Sequence, residues 1–354
     1  MLLIVAHHYV VNSGLTAVDG PIYAAPLSWR SLFLLILGAW GKTGINCFVV
    51  ITGYFMCKSQ ITAKKFAKLF FEVMFYHIVI YVLFVISRYK TFSIIEFLWL
   101  LIPVRKISNG FVSAYLVFFL LIPFLNVLLQ HMSEKQHLFL ILWCGFTYVF
   151  LGTVPGFSVT MNYVSWFSVV YIIASYVRYY PKKIYTKGKA WGWLVLTFLT
   201  ADFLTIIVCT MLSKRLGMRA AYAFLQDCNT FLAIATGICA FMFFKNLRIP
   251  CNKTINTVAS STFGVLLIHA NSDTMRQWLW RDVLDCVGHY KSAFMPLYVI
   301  ASVAGVFIVC VFLDQLRIRF IEKPFFRLWD KKWNGIAELY YTFKIKLLNH
   351  LDNL

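Results

Sequence analysis

Several histidines lie in apolar stretches of this sequence, where an imidazole needs a partner or a task, and three of them are candidates for chemistry. His7 and His8 interrupt the opening run MLLIVAHHYV, and His269 ends the run STFGVLLIH. An apolar environment favours the neutral imidazole, which can take a proton from a hydroxyl group or receive an acyl group. Adjacent helix residues point about 100° apart, so His7 and His8 cannot face the same point. Polar contacts between helices explain all three histidines equally well, and both interpretations stay open.

The composition places these histidines in a membrane protein. Of the 354 residues, 60% are hydrophobic and only 13% are charged, which is too apolar for a water-soluble globule. The formal charge of +19 would indicate nucleic-acid binding only if a soluble domain presented a basic face, and no such domain is visible. Basic residues in cytoplasmic loops and beside anionic lipids account for the charge instead. The nine cysteines are scattered without ligand-like spacing, which indicates neither a disulfide scaffold nor a metal site.

The elements that must position the histidines are apolar segments separated by charged or Gly/Pro-containing breaks. They predict an all-α protein, a polytopic membrane helix bundle of about ten transmembrane helices with no soluble domain. The stretch 94–104 is too short to span a bilayer and is predicted to be interfacial or re-entrant. The predicted helices cover residues 1–17, 40–57, 67–88, 110–130, 137–154, 162–180, 191–213, 225–245, 257–275 and 294–316.

Lysines and arginines are distributed unevenly between the two sides of the predicted bundle. If the N-terminus is cytoplasmic, most of the 33 basic residues fall on the cytoplasmic side, including those after the last helix. The positive-inside rule therefore predicts a multi-pass protein of the cell membrane with both termini in the cytoplasm. Lys68 and Glu72 are four residues apart on one helix face and are predicted to form an ion pair at the cytoplasmic rim.

Five stretches of the sequence together resemble the integral-membrane acyltransferase 3 family. They are the start IVAHHYV, the helix GKTGINCFVVITGYFM with the basic KKFAK after it, the segment FVSAYLVFFLLIPFLN, the run FGVLLIHAN and the terminal FIEKPFFRL. Each stretch is a weak match alone, but their order from residue 7 to residue 328 makes the resemblance specific. It implies an integral membrane acyltransferase domain over residues 1–330 and a short cytoplasmic tail over residues 331–354.

The sequence departs from the family pattern at three places. In the family a basic residue precedes the first histidine, and here its position falls before Met1. Because the opening apolar run is also about half the length of a membrane span, we expect the N-terminus to be truncated. Gly110 stands where many relatives have tryptophan, and Leu267 stands where many have tyrosine. Both changes are expected to affect the acceptor site rather than a catalytic group.

The resemblance implies transfer of an acyl group, usually acetyl, to a hydroxyl group of a surface glycan or lipid-linked sugar. The expected donor is cytoplasmic acetyl-CoA or another acyl-CoA, and the expected setting is capsule or exopolysaccharide biosynthesis. A thioester is already activated, so the protein mainly has to orient the hydroxyl group, remove its proton and stabilise the oxyanion. The implied partners are acyl-CoA, the glycan acceptor and membrane lipids, with no bound cofactor, no metal and no nucleic acid.

Site residues follow from the same resemblance. His8 is the expected catalytic base or relay because it best matches the family's first histidine, and His7 is the second candidate. His269 is a third catalytic candidate, and Tyr115 is expected to contact the acceptor or an oxyanion. Phosphate groups of CoA need cationic partners at the inner rim, and the expected donor-binding residues are Lys64, Lys65 and Lys68.

A second class of function fits a chain of this kind. In a polysaccharide polymerase, a flippase or a transporter of glycan precursors, polar residues inside the membrane line a pathway rather than react. No pair of Gly/Pro-broken helices occupies matching positions in two halves of this sequence, which speaks against a transporter. The arginines and lysines of the segments around 88–110 and 273–292 keep a polymerase possible.

Overall fold

The molecule is built from helices joined by short connections. The computed structural model describes residues 1–105, 107, 110–154, 156–157, 159, 161–216 and 221–332, with side chains for all of these except 213–216. These residues contain helices and turns and no β-strand. The all-helical class predicted from the sequence is therefore confirmed. The predicted tail over 331–354 lies outside the described residues from position 333 onward.

Sixteen α-helices occur in the described residues, together with shorter turns of π- and 3-10 helix. The α-helices are α1 (Leu2–Val11), α2 (Pro21–Ala24), α3 (Trp29–Gly38), α4 (Gly41–Met56), α5 (Ala63–Ile86), α6 (Ile94–Leu100), α7 (Phe111–Gln130), α8 (Glu134–Cys144), α9 (Leu151–Thr153), α10 (Tyr163–Tyr179), α11 (Gly188–Leu216), α12 (Phe231–Lys245), α13 (Lys253–Ser260), α14 (Thr262–His269), α15 (Asp273–Gln277) and α16 (Met295–Arg317). π-Helical turns cover Gly145–Phe150, Trp278–Val283 and Ile318–Glu322. The 3-10 turns are Lys183–Thr186 and Gly288–Lys291.

Six helical stretches of the described chain are long and apolar enough to cross a membrane. They are Trp29–Met56, Ala63–Ile86, Phe111–Gln130, Glu134–Thr153, Gly188–Leu212 and Met295–Lys332. Each matches one of the ten predicted segments, and the other four segments form α1, α10, α12 and the pair α13 and α14. Those helices have 17 residues or fewer. The membrane bundle predicted from composition is supported, whereas a count of ten spans is not confirmed by length and apolarity.

Helix α1 is shorter than the predicted helix over residues 1–17. It ends at Val11, and the chain then turns through Asn12, Ser13 and Gly14. Gly14 has a φ of +89°, which residues with a Cβ rarely adopt, so the helix cannot continue through it. The predicted segment 257–275 is also interrupted, because α13 ends at Ser260 and α14 begins at Thr262.

Three glycines at a spacing of three residues determine how closely α1 approaches α3 and α4. A Cβ on Gly38 would lie 2.8 Å from the Val10 Cβ, and a Cβ on Gly44 would lie 3.1 Å from a side-chain carbon of Ile4. A Cβ on Gly41 would overlap the His7 ring. Along the chain the three glycines meet Val10, His7 and Ile4 in that order, so α1 runs antiparallel to the row of glycines. The absence of glycine side chains allows the backbones to approach closely.

Buried polar groups and a further glycine tie α4 to α10. Asn46 is fully buried; its side-chain amide donates to the Cys228 carbonyl at 2.8 Å and accepts from the Trp166 indole N–H at 2.9 Å. Gly53, two turns further along α4, lies against α10, where a Cβ would be 2.8 Å from the Ala174 Cβ and 3.0 Å from the Tyr171 Cα. These contacts hold the start of α10 beside the start of α4, where the cavity described below lies.

The predicted ion pair between Lys68 and Glu72 is wrong. The Glu72 carboxylate lies 3.0 Å from the Arg317 guanidinium, and the Lys68 ammonium lies 2.5 Å from the Glu322 carboxylate. Arg317 comes from α16 and Glu322 from the π-helical turn after it, so tertiary packing offers both residues partners that are not on their own helix. The Arg317 guanidinium is more fully buried than the Lys68 ammonium, so its desolvation costs more free energy. It therefore depends more strongly on nearby carboxylates.

Replacing Gly53 by alanine should lower the thermal stability of the protein in detergent. Overpacking against a backbone typically costs about 1–3 kcal/mol, and here the Tyr171 Cα cannot move as a side-chain end would. Gly305→Ala in α16 is the matched control, since no described residue outside the surrounding turns of α16 comes within 4 Å of its Cβ position. That change should stabilise the helix by about 1 kcal/mol through helix propensity alone. Equal melting temperatures for the two variants would contradict this account of α4 and α10.

Candidate active site

A cavity of about 560 Å³ opens at one end of the bundle. Its wall is formed by the starts of α4, α7 and α10, the second half of α5, helix α6 and the turn between α14 and α15. His7 and His8 both line it, and both side chains are half-buried. His269 is fully buried behind this wall. Among the described residues, no group of three or more His, Cys, Asp or Glu could hold a metal ion.

A chain of hydrogen bonds determines which ring nitrogen of each histidine carries a proton. The His269 Nδ1 lies 2.5 Å from the Val265 carbonyl oxygen, which can only accept, so this nitrogen donates. In the neutral ring the His269 Nε2 then has a lone pair. It lies 3.0 Å from the His8 Nδ1, which must therefore donate to it. The second nitrogen of His8, Nε2, keeps its lone pair, and no described residue donates a hydrogen bond to it.

This arrangement makes His8 a competent general base. A substrate hydroxyl group in the cavity can give its proton to the His8 Nε2, and the resulting positive charge is shared with the His269 lone pair through the His8 Nδ1–H. His269 lies in the last turn of α14, where unpaired helix carbonyls carry partial negative charge and favour a nearby cation. The geometry thus allows His269 to hold the His8 ring in one tautomer.

His7 points elsewhere, as the helical repeat requires. Its Nδ1 donates to the Gly38 carbonyl oxygen at 2.6 Å, at the break between α3 and α4. The ring also rests on Gly41, where any side chain would displace it. His7 therefore lines the cavity, but among the described residues its ring forms no hydrogen bond with another imidazole. Its ring centroid lies 5.8 Å from that of His8.

The three predicted donor-binding lysines are grouped at the other end of α5. His77 is the first residue of α5 that lines the cavity, and Lys64 precedes it by about 20 Å of helix. Lys64 pairs with Asp330 at 2.6 Å. Lys65 donates to the Ser59 hydroxyl at 2.8 Å and the Gln60 carbonyl at 2.7 Å, and Lys68 pairs with Glu322 as described above. The structure does not bring these lysines to the histidines.

Tyr115 also lies apart from the histidine pair. It is buried among aromatic rings, including Phe48 and Phe263, with ring centroids 5.3 and 5.4 Å away. Its hydroxyl group shares a hydrogen bond of 3.2 Å with the Thr52 hydroxyl. Tyr115 is not among the residues that line the cavity. A role in contacting the acceptor stays a prediction that needs a rearrangement of this aromatic layer.

Two cavity residues were not identified from the sequence. Lys42 and Tyr163 line the cavity from α4 and α10, and the Lys42 ammonium donates to the Tyr163 hydroxyl oxygen at 3.0 Å. A signal for Lys42 was present, because a charged residue inside an apolar helix is rare and usually functional. Tyr163 had none, since tyrosine is frequent in this sequence and nothing local sets this one apart.

The comparisons with known proteins identify a family. A family model described as an acyltransferase domain, of the acyltransferase 3 type, matches residues 1–314. The search of curated proteins and the search of solved structures found no match. The matched range includes all three histidines and ends at Asp314 in α16.

Chemical labelling should distinguish His269 from the pair His7 and His8. Diethyl pyrocarbonate reacts with accessible neutral imidazole nitrogens, so peptides containing His7 and His8 should be modified, while the peptide containing His269 should not. In the His8→Ala variant, the His269 Nε2 loses its partner and faces the cavity, so that peptide should become labelled. Mass spectrometry of digests gives the extent of modification.

The exposed His131 serves as the positive control in the same digests. Labelling of His269 in the unaltered protein, at a rate near that of His131, would contradict its buried position with hydrogen bonds at both ring nitrogens.

Proposed function

Because the chain belongs to the acyltransferase 3 family, we propose that it is a membrane O-acyltransferase that transfers an acyl group from acyl-CoA to a hydroxyl group of a cell-surface glycan or lipid-linked sugar. The proposed acyl group is acetyl. The observation that carries the proposal is the free Nε2 of His8 at the cavity wall, with the other nitrogen held by His269. Family membership favours this chemistry over the polymerase, flippase and transporter alternatives.

In the proposed reaction the acceptor hydroxyl group first donates a hydrogen bond to the His8 Nε2. Its oxygen then forms a bond to the thioester carbonyl carbon while the proton moves to Nε2. The tetrahedral intermediate collapses as the C–S bond breaks, and the imidazolium returns the proton to the departing thiolate. Throughout, the His269 Nε2 accepts the hydrogen bond from the His8 Nδ1. General-base catalysis of this kind typically contributes 10²- to 10⁴-fold in rate.

The size and lining of the cavity are compatible with such substrates. Sites for small molecules typically enclose about 300–1,000 Å³, and 560 Å³ is sufficient for a sugar unit beside the end of a thioester. Apolar helices surround the histidines and limit access of bulk water, which would otherwise compete with the acceptor for the acyl group. A thioester is already activated, so the proposal needs no bound cofactor.

The donor is proposed to approach from the end of α5 that carries Lys64, Lys65 and Lys68, on the cytoplasmic side, with both termini on that side. Lys65 is the best placed of the three for a CoA phosphate. It donates to a hydroxyl and a carbonyl, whereas Lys64 and Lys68 are already paired with carboxylates. The thioester end of the donor would then have to reach along about 20 Å of α5 to the histidines.

Replacing His8 by alanine should reduce acyl transfer by about 10²- to 10⁴-fold, because the base is lost. His7→Ala should cost much less, since the His7 ring has no imidazole partner. The measurement is transfer of labelled acetyl from acetyl-CoA in isolated membranes, with the amount of protein in the membrane determined in the same samples. Acetylation at the normal level in the His8 variant would remove the catalytic assignment.

His269 needs a test that separates positioning from folding. His269→Gln retains an acceptor for the His8 Nδ1–H and should keep more activity than His269→Ala. The alanine variant should also change the pH at which kcat falls to half its maximum, because the partner of the catalytic imidazole is gone. A loss of activity in both variants with an unchanged pH profile would indicate a purely structural role.

Lys65→Ala should raise the KM for acyl-CoA several-fold with little change in kcat, as expected when ground-state donor binding is lost. Lys64→Ala and Lys68→Ala should have smaller effects, because neither ammonium is free of a carboxylate. Lys189→Ala, at the start of α11, is the control for a change in net charge. Equal KM values in all four variants and the unaltered protein would exclude the lysines of α5 from donor binding.

A further inference from the structure

The cavity that contains His8 is lined by more cations than carboxylates. Among its described lining residues, Lys90 pairs with Glu96 at 2.9 Å and Arg276 pairs with Asp273 at 3.0 Å. Two further cations also line it, Lys42 and Arg105. Within the described part of the chain neither of these forms an ion pair with a carboxylate, so the cavity wall has an excess of positive charge.

Lys42 is the deeper of the two unpaired cations. It is half-buried one residue after Gly41, the glycine that supports the His7 ring, and it donates a hydrogen bond to the neutral Tyr163 hydroxyl at 3.0 Å. An ammonium group inside an apolar bundle is costly unless it meets an anion or remains hydrated. The group in hydrogen-bond contact with this ammonium is a hydroxyl, and the Asp227 carboxylate attracts it only from beyond ion-pair distance.

Two neighbouring features add positive potential at the same place. Helix α4 begins at Gly41 without a side-chain cap, and its first two residues line the cavity. The positive end of the α4 dipole therefore faces the cavity, although a helix terminus alone does not make a site. Arg105 lies at the cavity with its guanidinium carbon 4.0 Å from the centre of the Trp99 ring, and stacking on a ring face does not occupy the N–H groups at the edge of the guanidinium.

Tyr163 completes a pair of donors. The Lys42 ammonium uses one of its three N–H groups on the Tyr163 oxygen. The Tyr163 O–H contacts the Cys228 thiol, a weak acceptor that a phosphate or carboxylate oxygen would replace. A phosphate or carboxylate oxygen placed between the two residues would accept from both. Charge-assisted bonds of this kind are about twice as strong as neutral ones.

We propose that Lys42 and Tyr163 form an anion-binding subsite of the cavity, which takes a phosphate or carboxylate group of a substrate while the reacting hydroxyl group lies at His8. The inference rests on the proposed function, because it takes the bound anionic group to be part of a substrate of acyl transfer. It adds that the acceptor is an anionic glycan, one that contains a uronic acid or a sugar phosphate. The same chemistry is offered by the phosphates of the donor, and the experiment separates these two sources.

The test measures binding rather than turnover. The full-length protein is purified in neutral detergent, and its melting temperature is followed by intrinsic tryptophan fluorescence against ligand concentration to obtain apparent Kd values. The acceptor probes are methyl glucuronide and glucose 1-phosphate, each compared with the neutral methyl glucoside. The donor probes are CoA and pantetheine, which lacks the phosphates. The variants are Lys42→Met, Lys42→Arg and Tyr163→Phe, and the control is Lys291→Met, which removes a lysine outside the cavity.

The unaltered protein should bind at least one anionic sugar about tenfold more tightly than methyl glucoside, the effect expected for a hydrogen bond to a charged group. Lys42→Met should abolish this preference, Lys42→Arg should keep part of it, Tyr163→Phe should weaken it, and Lys291→Met should leave it unchanged. If Lys42→Met instead abolishes the preference for CoA over pantetheine alone, the subsite exists and belongs to the donor.

The subsite is excluded if Lys42→Met, folded as judged by its melting temperature without ligand, retains every anion preference of the unaltered protein. It is also excluded if the unaltered protein has no such preference. The proposed function fails separately, since a protein with a Lys42-dependent anion preference but without acyl transfer would contradict the transferase proposal alone. His8→Ala should lose transfer and keep the anion preference.

Discussion

The candidate site depends first on the close approach of α1 to the glycine row Gly38, Gly41 and Gly44. Helix α1 has only ten residues, too few to span a bilayer, so its depth in the bundle is determined by what it packs against. With no side chains on one face of α3 and α4, the α1 backbone comes close enough for His7 to reach the Gly38 carbonyl. That contact orients α1 about its own axis and thereby directs His8 toward α14.

The partner of His8 is positioned from the other side by buried charge. Gly264 in α14 packs against the Asp314 carboxylate, and Asp314 accepts from the Arg317 guanidinium and the Tyr76 hydroxyl, both at 2.8 Å. Arg317 is 3% exposed and also contacts Glu72 and Glu322. A guanidinium desolvated to this degree requires such partners, and the network they form joins α5, α14 and α16. Two separate packing arrangements therefore bring the rings together. The glycine row positions His8 on α1, and the network around Arg317 positions His269 on α14.

The molecule separates its two sets of cations. The lysines at the start of α5 lie at one end of the bundle, and the cavity with Lys42 lies at the other. Phe48 of α4, Tyr115 of α7 and Phe263 of α14 form an aromatic layer where these three helices meet. In the acyl transfer proposed above, the activated donor and the acceptor hydroxyl group come together at one imidazole, so a route past these rings has to exist for at least one substrate. The stacked rings of Phe48 and Phe263, with centroids 6.2 Å apart, are the part of the layer that such a route would displace.

The sequence by itself determined the all-helical membrane class, the approximate positions of the helices and the family, because apolar segment length and local motifs carry that information. It also singled out His7, His8 and His269, since an imidazole in an apolar run is rare enough to notice. It could not decide which of them line the cavity or which nitrogen is free, because His8 and His269 are 261 positions apart in the chain and meet only through tertiary packing. The pairing of Glu72 with Arg317 in place of Lys68, and the position of Lys42 beside Tyr163, were decided in the same way: a buried charge takes the partner that the fold brings to it, which sequence spacing on one helix does not specify.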